Sequence, residues 1–552
     1  MRAPTRSRTS GTIRSGGELR RLRRRVAAVL TMVAFASIVG ATTANAVTSG
    51  GWSSLGTGGG PTTPALNGRV NVVTSVGPNV YVGGLFLNAG GLPGGDDIAM
   101  WNGSHWSSFG AGLNNAVYAI AVSGGTVFAG GSFSNAGGDP QADSLAMWDG
   151  SHWTSVGGVS LDGPVFALQV VGSDLFVGGG FDNADNIAAA DGIVEYDIVG
   201  QGFSAIGSVS TVSSMAVSTD GGLYVGSGGI DMNGIANADF LARFDLTSHT
   251  WSAVGAPGPS ISAIQNRVRG VATSGTDVYV VGDFVNADGI GAADKIAKWN
   301  GVAWSAVGND GAGGGYFGEG ATSLYTVIVD HGNVFAGGNF LNAGGNALVD
   351  VIAGFRGGHW TNVGTNATGT NGPGSGTVFS LAVNHSKLYV GTLDTAFGGS
   401  AMNCGSASFK LRQPDARIAV GQGPAAGNNV YNVTAAHQGK GTKTDRGKTA
   451  TFAIPVQNDG FETDTIALKG PGSRTGFMVH YLAGAHDVTG DVVAGTFTFA
   501  NVAAGATRSL TLKVAVGAHT AVGASGSWLV TASSQGIVPA VKDAVKATVT
   551  AT

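Results

Sequence analysis

Cysteine occurs once in 552 residues, at Cys404, so a disulfide framework and any multi-cysteine zinc or iron–sulfur site are excluded. Charge is sparse as well: Asp, Glu, Lys and Arg supply 12% of the chain, about half the usual share. Together with 43% hydrophobic residues, that balance excludes a disordered chain, which needs the opposite composition. Only 15 residues are proline and the glycines keep no three-residue period, which excludes collagen. No apolar run approaches the ~20 residues of a membrane-spanning helix. The motifs of serine hydrolases (G-x-S-x-G), zinc proteases (H-E-x-x-H) and P-loop enzymes are missing too.

What the chain has is glycine, 95 of 552 residues or about 17%, against roughly 7% in average usage. Its N-terminus carries nine arginines and one acid, Glu18, within residues 1–25; an apolar run to about Val39 and then Ala44-Asn45-Ala46 follow. This order of basic, apolar and small residues predicts a secretory signal cleaved after Ala46. The general secretory route is expected, with twin-arginine export as the second choice. The mature protein is then secreted, extracellular or held at the cell surface, with no membrane insertion. Residues 47–410 hold 9 Lys/Arg and 25 Asp/Glu, a balance of −16, whereas residues 411–552 hold 12 and 8, a balance of +4. The acidic part repels phosphate backbones, so no nucleic acid partner is expected.

Internal repetition governs the rest. Phrases such as VYVGG, VFAGG and LYVGT set an aromatic at Tyr81, Phe128, Phe176, Tyr224, Tyr279, Phe335 and Tyr389, at intervals of 47, 48, 48, 55, 56 and 54 residues. Twenty residues after each stands a second aromatic: Trp101, Trp148, Tyr196, Phe244, Trp299, Phe355 and Phe409. A third series, Trp52, Trp106, Trp153, Phe203, Trp251, Trp304 and Trp360, also has seven members but begins before the first unit. Each unit reads as four short strands, with hairpin turns at Asn102-Gly103, Asp149-Gly150 and Asn300-Gly301. Four-strand units at this period predict the blades of a β-propeller. The offset of the third series predicts that Trp52-Ser53-Ser54-Leu55 completes the seventh unit and removes an open sheet edge.

The aromatic strand, the paired glycines and Arg243-Phe244-Asp245 with Trp251 six residues on resemble the kelch repeat of propellers such as the central domain of galactose oxidase. The phrase YVGG-x-F-x-NAGG followed by IA-x-WNG-x-x-W is similar to kelch-like ectodomains of fungal cortical polarity markers and of many secreted bacterial proteins. The resemblance covers about residues 50–411. It implies an all-β chain with a seven-bladed kelch-like β-propeller closed by the N-terminal strand. It implies no activity, because propellers host unrelated ones. Galactose oxidase chemistry needs a cysteine–tyrosine crosslink and histidine ligands, and no residues here match those motifs.

After Gln413-Pro414 the repeat gives way to seven short strand-like stretches, at 416–420, 449–456, 476–481, 497–501, 509–516, 528–532 and 544–550. They suggest an immunoglobulin-like β-sandwich, resembling accessory domains of secreted bacterial proteins and serving as a spacer. The expected organisation is a signal peptide at 1–46, the propeller at 47–412 and the sandwich at 413–552.

An Asn and an Asp eight residues apart recur at Asn88/Asp96, Asn135/Asp143, Asn183/Asp191, Asn286/Asp294 and Asn342/Asp350, with Asp231/Asp239 in the fourth unit. Calcium needs roughly six to eight oxygens, so both side chains read as loop caps bonded to local backbone. No metal and no other cofactor is expected. His105, His152 and His359 lie on different units and cannot converge on one ion. A carboxylate pair for glycoside cleavage stays open among the 25 acids.

The copies differ most in one loop. From each third-series aromatic to the next first strand the chain runs 9 to 12 residues into units two to four, but 17 to 20 into units one, five, six and seven. The long loops carry Arg69, Arg267, Arg269, Tyr316, Phe317 and Glu319, residue types that binding patches use. Long glycine-rich loops are also tolerated as plain insertions, and both readings stay open. The expected function is a secreted, non-catalytic binding or adhesion protein whose propeller recognises an extracellular glycan or protein ligand through these six residues. The alternatives are a carbohydrate-active or oxidative propeller enzyme and a surface-layer or matrix component.

Overall fold

The computed structural model describes residues 51–255, 262–318, 323–384, 386–428, 430–536 and 540–552. The expected signal peptide and Glu319 lie outside the described residues. Strand phrases separated by glycine-led turns fold into short antiparallel strands, and among the described residues they form seven four-stranded sheets in succession. The second sheet is made of Val117–Ser123, Thr126–Gly131, Leu145–Trp148 and Trp153–Ser155. In the seventh, Val378–Asn384, Lys387–Thr392 and Ser406–Lys410 are joined by Trp52–Ser53, with Trp52 opposite Phe409. The N-terminal strand thus stands where the offset of the tryptophan series places it. First strands neighbour one another in chain order, and the seventh returns to the first, Arg69–Val76. There Val73 N–H donates to Ser380 Oγ at 3.0 Å and Ser75 Oγ donates to Val383 O at 2.7 Å. This is a propeller-like all-β fold.

The paired glycines meet two close approaches, the first to the neighbouring sheet and the second to the chain entering the first strand of its own sheet. A Cβ on Gly130 would lie 2.4 Å from Val165 Cγ1 of the next sheet, and one on Gly131 would lie 2.2 Å from Ala116 O. Gly83, Gly178, Gly226 and Gly337 face Val117, Val212, Val268 and Val378 in the same way. In the fifth sheet Val281 takes the glycine's place, and the compensating glycine is Gly270, whose Cβ would sit 2.9 Å from Val281 Cγ2. Tryptophans then tie sheet to sheet. Except at Trp304, whose indole N–H is buried without a partner among the described residues, each indole N–H of the series donates to the carbonyl three residues beyond the preceding member: Trp106 to Leu55 at 2.5 Å, Trp153 to Phe109 at 3.0 Å, Trp251 to Ile206 at 2.5 Å and Trp360 to Val307 at 2.6 Å. Trp52 makes the same bond, to Val363 at 3.1 Å.

Two further sheets enclose a separate core in residues 414–551. One orders Pro414–Ala416, Thr449–Asn458, Thr507–Val516, Phe477–Ala483 and His486–Asp487, with Ala419–Val420 beside the second. The other orders Gly439–Thr444, Lys542–Ala551, Ser525–Ser534, Asp464–Lys469 and Thr498–Val502. Their alternate residues, among them Phe452, Ile454, Leu512, Trp528 and Val545, meet between the sheets. Gly439–Thr444 and Asp464–Lys469 go beyond the seven expected stretches, as does the short helix Thr489–Ala494. Gly439–Thr444 has no apolar alternation because it is an edge strand, paired in parallel with Lys542–Ala551 alone and guarded by lysines.

Candidate ligand-binding site

The first strand of every sheet is interrupted at one register. Pairing skips a residue between Val70 and Val72, Val117 and Ala119, Val165 and Ala167, Val212 and Ser214, Val268 and Gly270, Leu324 and Thr326, and Val378 and Ser380. Such a bulge re-aims its unpaired side chain. The seven skipped residues are Asn71, Tyr118, Phe166, Ser213, Arg269, Tyr325 and Phe379. All seven line one central cavity of about 250 Å³ and an adjoining one of about 180 Å³, where Arg69 and Arg267 join them. Arg69 and Arg267 share a register of their own, two residues before the skipped one, which is Ala116, Pro164, Thr211, Ser323 and Thr377 in the other sheets.

Aromatics from neighbouring sheets pair across this ring: Tyr118 with Phe166 at 5.4 Å and Tyr325 with Phe379 at 5.5 Å between ring centres. The Arg69 guanidinium lies 4.0 Å from the Phe379 ring centre, and Arg269 lies 4.7 Å from that of Tyr325. Arg269 is neutralised by Asp283, with Nη2 to Oδ2 at 2.8 Å and Nε to Oδ1 at 2.9 Å. Burial works to raise the Asp283 carboxyl. Hydrogen bonds from Arg269 and Ser323 and the charges of Arg269 and Lys295 outweigh it and hold the group below its ordinary value. Among the described residues the Arg267 guanidinium bonds only Ser213 Oγ, at 3.3 Å, and its pKa is lowered by burial and by the charge of Arg269 against the pull of Asp283. Nε of Arg69 and Nε of Arg267 are sealed from solvent without a hydrogen-bond partner. Neither Arg69 nor Arg267 forms an ion pair among the described residues; the charge of Asp283, already paired with Arg269, acts on Arg267 from beyond contact, and both arginines border the smaller of the two adjoining cavities, the mouth of a central channel.

The expected patch therefore divides. Arg69, Arg267 and Arg269 come together, but on and beside the first strands rather than on a loop wall. Tyr316 and Phe317 do not join them. Phe317 is 5% exposed and packs edge-on to Phe340 and Trp360, each at 5.0 Å. Tyr316 stacks on Trp360 at 5.7 Å. Neither ring stands as an exposed platform: Phe317 is buried and Tyr316 is half-buried against Trp360, since covering apolar ring surface outweighs displaying it. The aromatics that do line the channel are Tyr118, Phe166, Tyr325 and Phe379. Their signal was a single variable column that follows a Val or Leu in all seven first strands. The two kinds of connecting loop do share a face, since Leu113 N–H donates to Asp96 O at 3.1 Å and Asn114 Nδ2 to Ser134 O at 2.9 Å.

The Asn/Asp pairs divide their labour. In six sheets the Asp carboxylate accepts the backbone N–H of its partner, Asp96 from Asn88 at 2.7 Å, Asp143 from Asn135 at 2.6 Å, and likewise Asp191, Asp239, Asp294 and Asp350. The Asn side chains make no cap bond, which corrects the expectation that both residues cap. Asn88, Asn135, Asn183, Asp231, Asn286 and Asn342 instead hold left-handed backbone, φ 47 to 52°, which Asn and Asp tolerate. Elsewhere Asp330, His331 and Glu462 bring three potential ligand atoms within 4.8 Å of one another. Arg412 Nε already meets Glu462 Oε2 at 2.8 Å and Asn333 Nδ2 meets Oε1 at 2.9 Å, so a guanidinium occupies the cation's role.

No protein-family model matches the chain, and no curated protein is similar to it. Among solved structures it is similar to regucalcin, a calcium-binding protein from Agrobacterium tumefaciens, at 11% identity and a TM-score of 0.30, over 53% of this chain and 89% of that one. It is also similar to a family 123 glycoside hydrolase from Clostridium perfringens at 5% identity and a TM-score of 0.17, over 25% and 27% of the two chains. The secreted serine protease VesC from Vibrio cholerae gives 10% and 0.15, over 31% and 36%.

Proposed function

We propose that this chain is a secreted, non-catalytic binding protein that recognises an anionic group on an extracellular glycan or protein. On this reading residues 1–46 are a signal peptide, residues 47–412 a seven-bladed kelch-like propeller, and residues 413–552 an immunoglobulin-like spacer. The observation that carries it is the pair Arg69 and Arg267 at the channel mouth, neither of them in an ion pair among the described residues, in a region whose charge is −16. Guanidinium groups suit carboxylate and sulfate, and the four channel aromatics offer apolar faces beside them. A ligand there would be held by groups that break the sevenfold repetition, as a specific site requires.

The test is an array of sulfated, uronate-bearing and neutral glycans beside a set of acidic peptides, run with hydrolase and oxidase substrate panels. Anionic members should bind, less tightly as salt is added. A charge-assisted hydrogen bond contributes about 1.5–3 kcal/mol, so Arg69→Ala and Arg267→Ala should each weaken binding at least about tenfold. Asn114→Ala, on the same face, should leave affinity unchanged. Unaltered binding in the double arginine variant, or turnover of any panel substrate, overturns this reading.

A further inference from the structure

A further cavity, about 400 Å³, lies where the seventh sheet meets the C-terminal region, lined by Phe409, Lys410, Tyr431, Asp459 and Phe461 among others. Lys410 stands directly opposite Lys387 on the neighbouring strand, a like-charge pairing that sheets disfavour. Neither ammonium forms an ion pair among the described residues. Lys410 Nζ instead rests 3.8 Å from the centre of the Tyr431 ring, and the Tyr431 hydroxyl donates to Asp459 Oδ2 at 2.8 Å. Burial and the charge of Lys387 push the Lys410 amine down to about 8, against the pull of Asp459, Asp415 and Asp543. Burial lowers Lys387 as well, and Arg356 is a further cation on the cavity wall. A lysine desolvated beside a second cation keeps much more nucleophilic free amine near neutral pH than an exposed one.

We propose that Lys410 is a covalent capture site for small aldehydes carrying an apolar body. The free amine adds to the carbonyl carbon, both N–H protons leave with the carbonyl oxygen as water, and a C=N bond remains. No oxidant or reductant is consumed, and hydrolysis reverses the step. Phe409 and Phe461 supply the apolar wall, Thr361, Asn362 and Thr365 a polar rim. The site is separate from the channel mouth. Lys387 begins the strand Lys387–Thr392, whose far end, Thr392, pairs with Val378 beside Phe379.

The experiment treats the full chain with butanal and cyanoborohydride at neutral pH, stops at low conversion and maps butylated lysines by peptide mass spectrometry. Lys410 should be labelled at least about tenfold faster than the exposed Lys443, Lys448 and Lys513. Its rate should rise through a midpoint near 8, whereas the exposed lysines rise only above about pH 9. Lys410→Arg should remove the fast adduct. Labelling of Lys410 no faster than the exposed lysines, or a fast adduct that survives Lys410→Arg, overturns the proposal.

Discussion

The seven-sheet ring and the C-terminal pair of sheets pack by opposite means. In the ring, neighbouring sheets close onto backbone, with Val165 against Gly130 and no room for a methyl group between them. In the C-terminal sheets large side chains alternate inward, and Phe452, Tyr481 and Trp528 are wholly buried. Charge divides along the same line, −16 over residues 47–410 and +4 over residues 411–552. The ring cannot gain bulk at its constant positions, whereas the C-terminal core cannot lose any. Variation in the ring is therefore channelled to positions such as the bulge, where a side chain of any size enters the central cavity.

Two substitutions of opposite sense break this comparison most strongly. Phe452→Ala empties the C-terminal core and should cost about 3–5 kcal/mol. Gly130→Val forces the second and third sheets apart and should cost about 1–3 kcal/mol, more if the backbone cannot shift. Urea unfolding of both variants gives the order. A Gly130→Val chain as stable as the wild type would mean that the sheets are not in backbone contact.

A smaller effect sharpens the contrast between scaffold and site inside the ring. Asp143 accepts the exposed Asn135 N–H, so Asp143→Ala hands that donor to water and should cost about 0.5–1.5 kcal/mol. Calcium or a chelator should leave the melting temperature unchanged in both proteins. A calcium-dependent rise that Asp143→Ala abolishes would restore an ion to these loops.

Repetition made the fold readable because seven copies average out local ambiguity. The aromatic spacing located the strands, and the displaced Trp52 pointed to its place beside Phe409. The same averaging hid the channel, since attention to constant columns passes over Asn71, Tyr118, Phe166, Ser213, Arg269, Tyr325 and Phe379, which share a register and nothing else. Arg69, Arg267 and Arg269 were legible as exceptions in an acidic region. The burial of Phe317 and the stacking of half-buried Tyr316 on Trp360 were not, because a loop sequence does not say which neighbouring sheet its aromatics will enter. In the C-terminal region Gly439–Thr444 was hidden for a different reason: an edge strand needs backbone partners on one side only and shows no apolar alternation.

The smallest expected effect concerns a position where the copies agree in backbone but not in residue. Asp97, Ser144, Gly192, Phe240, Lys295, Val351 and Gly405 follow the capping Asp or its replacement, and all have positive φ, from 55 to 70°. Asp97 is the acid of this column, and its carboxylate accepts Phe86 N–H at 3.1 Å. Burial pushes its pKa up to about 6, the Phe86 hydrogen bond pulls it down, and the neighbouring Asp96 charge raises it further. A carboxyl raised by folding contributes stability that is fully present below its unfolded value near 3.8 and is lost as pH rises through 6. Asp97→Asn keeps an oxygen acceptor for Phe86, tolerates the left-handed backbone and cannot ionise. Urea unfolding at steps from about pH 4 to about pH 7 should show the two proteins converging at the acid end. At neutral pH the variant should be the more stable by under about 1 kcal/mol, because water still screens part of the charge. Parallel stability curves across that window would assign the burden of ionisation to another buried acid.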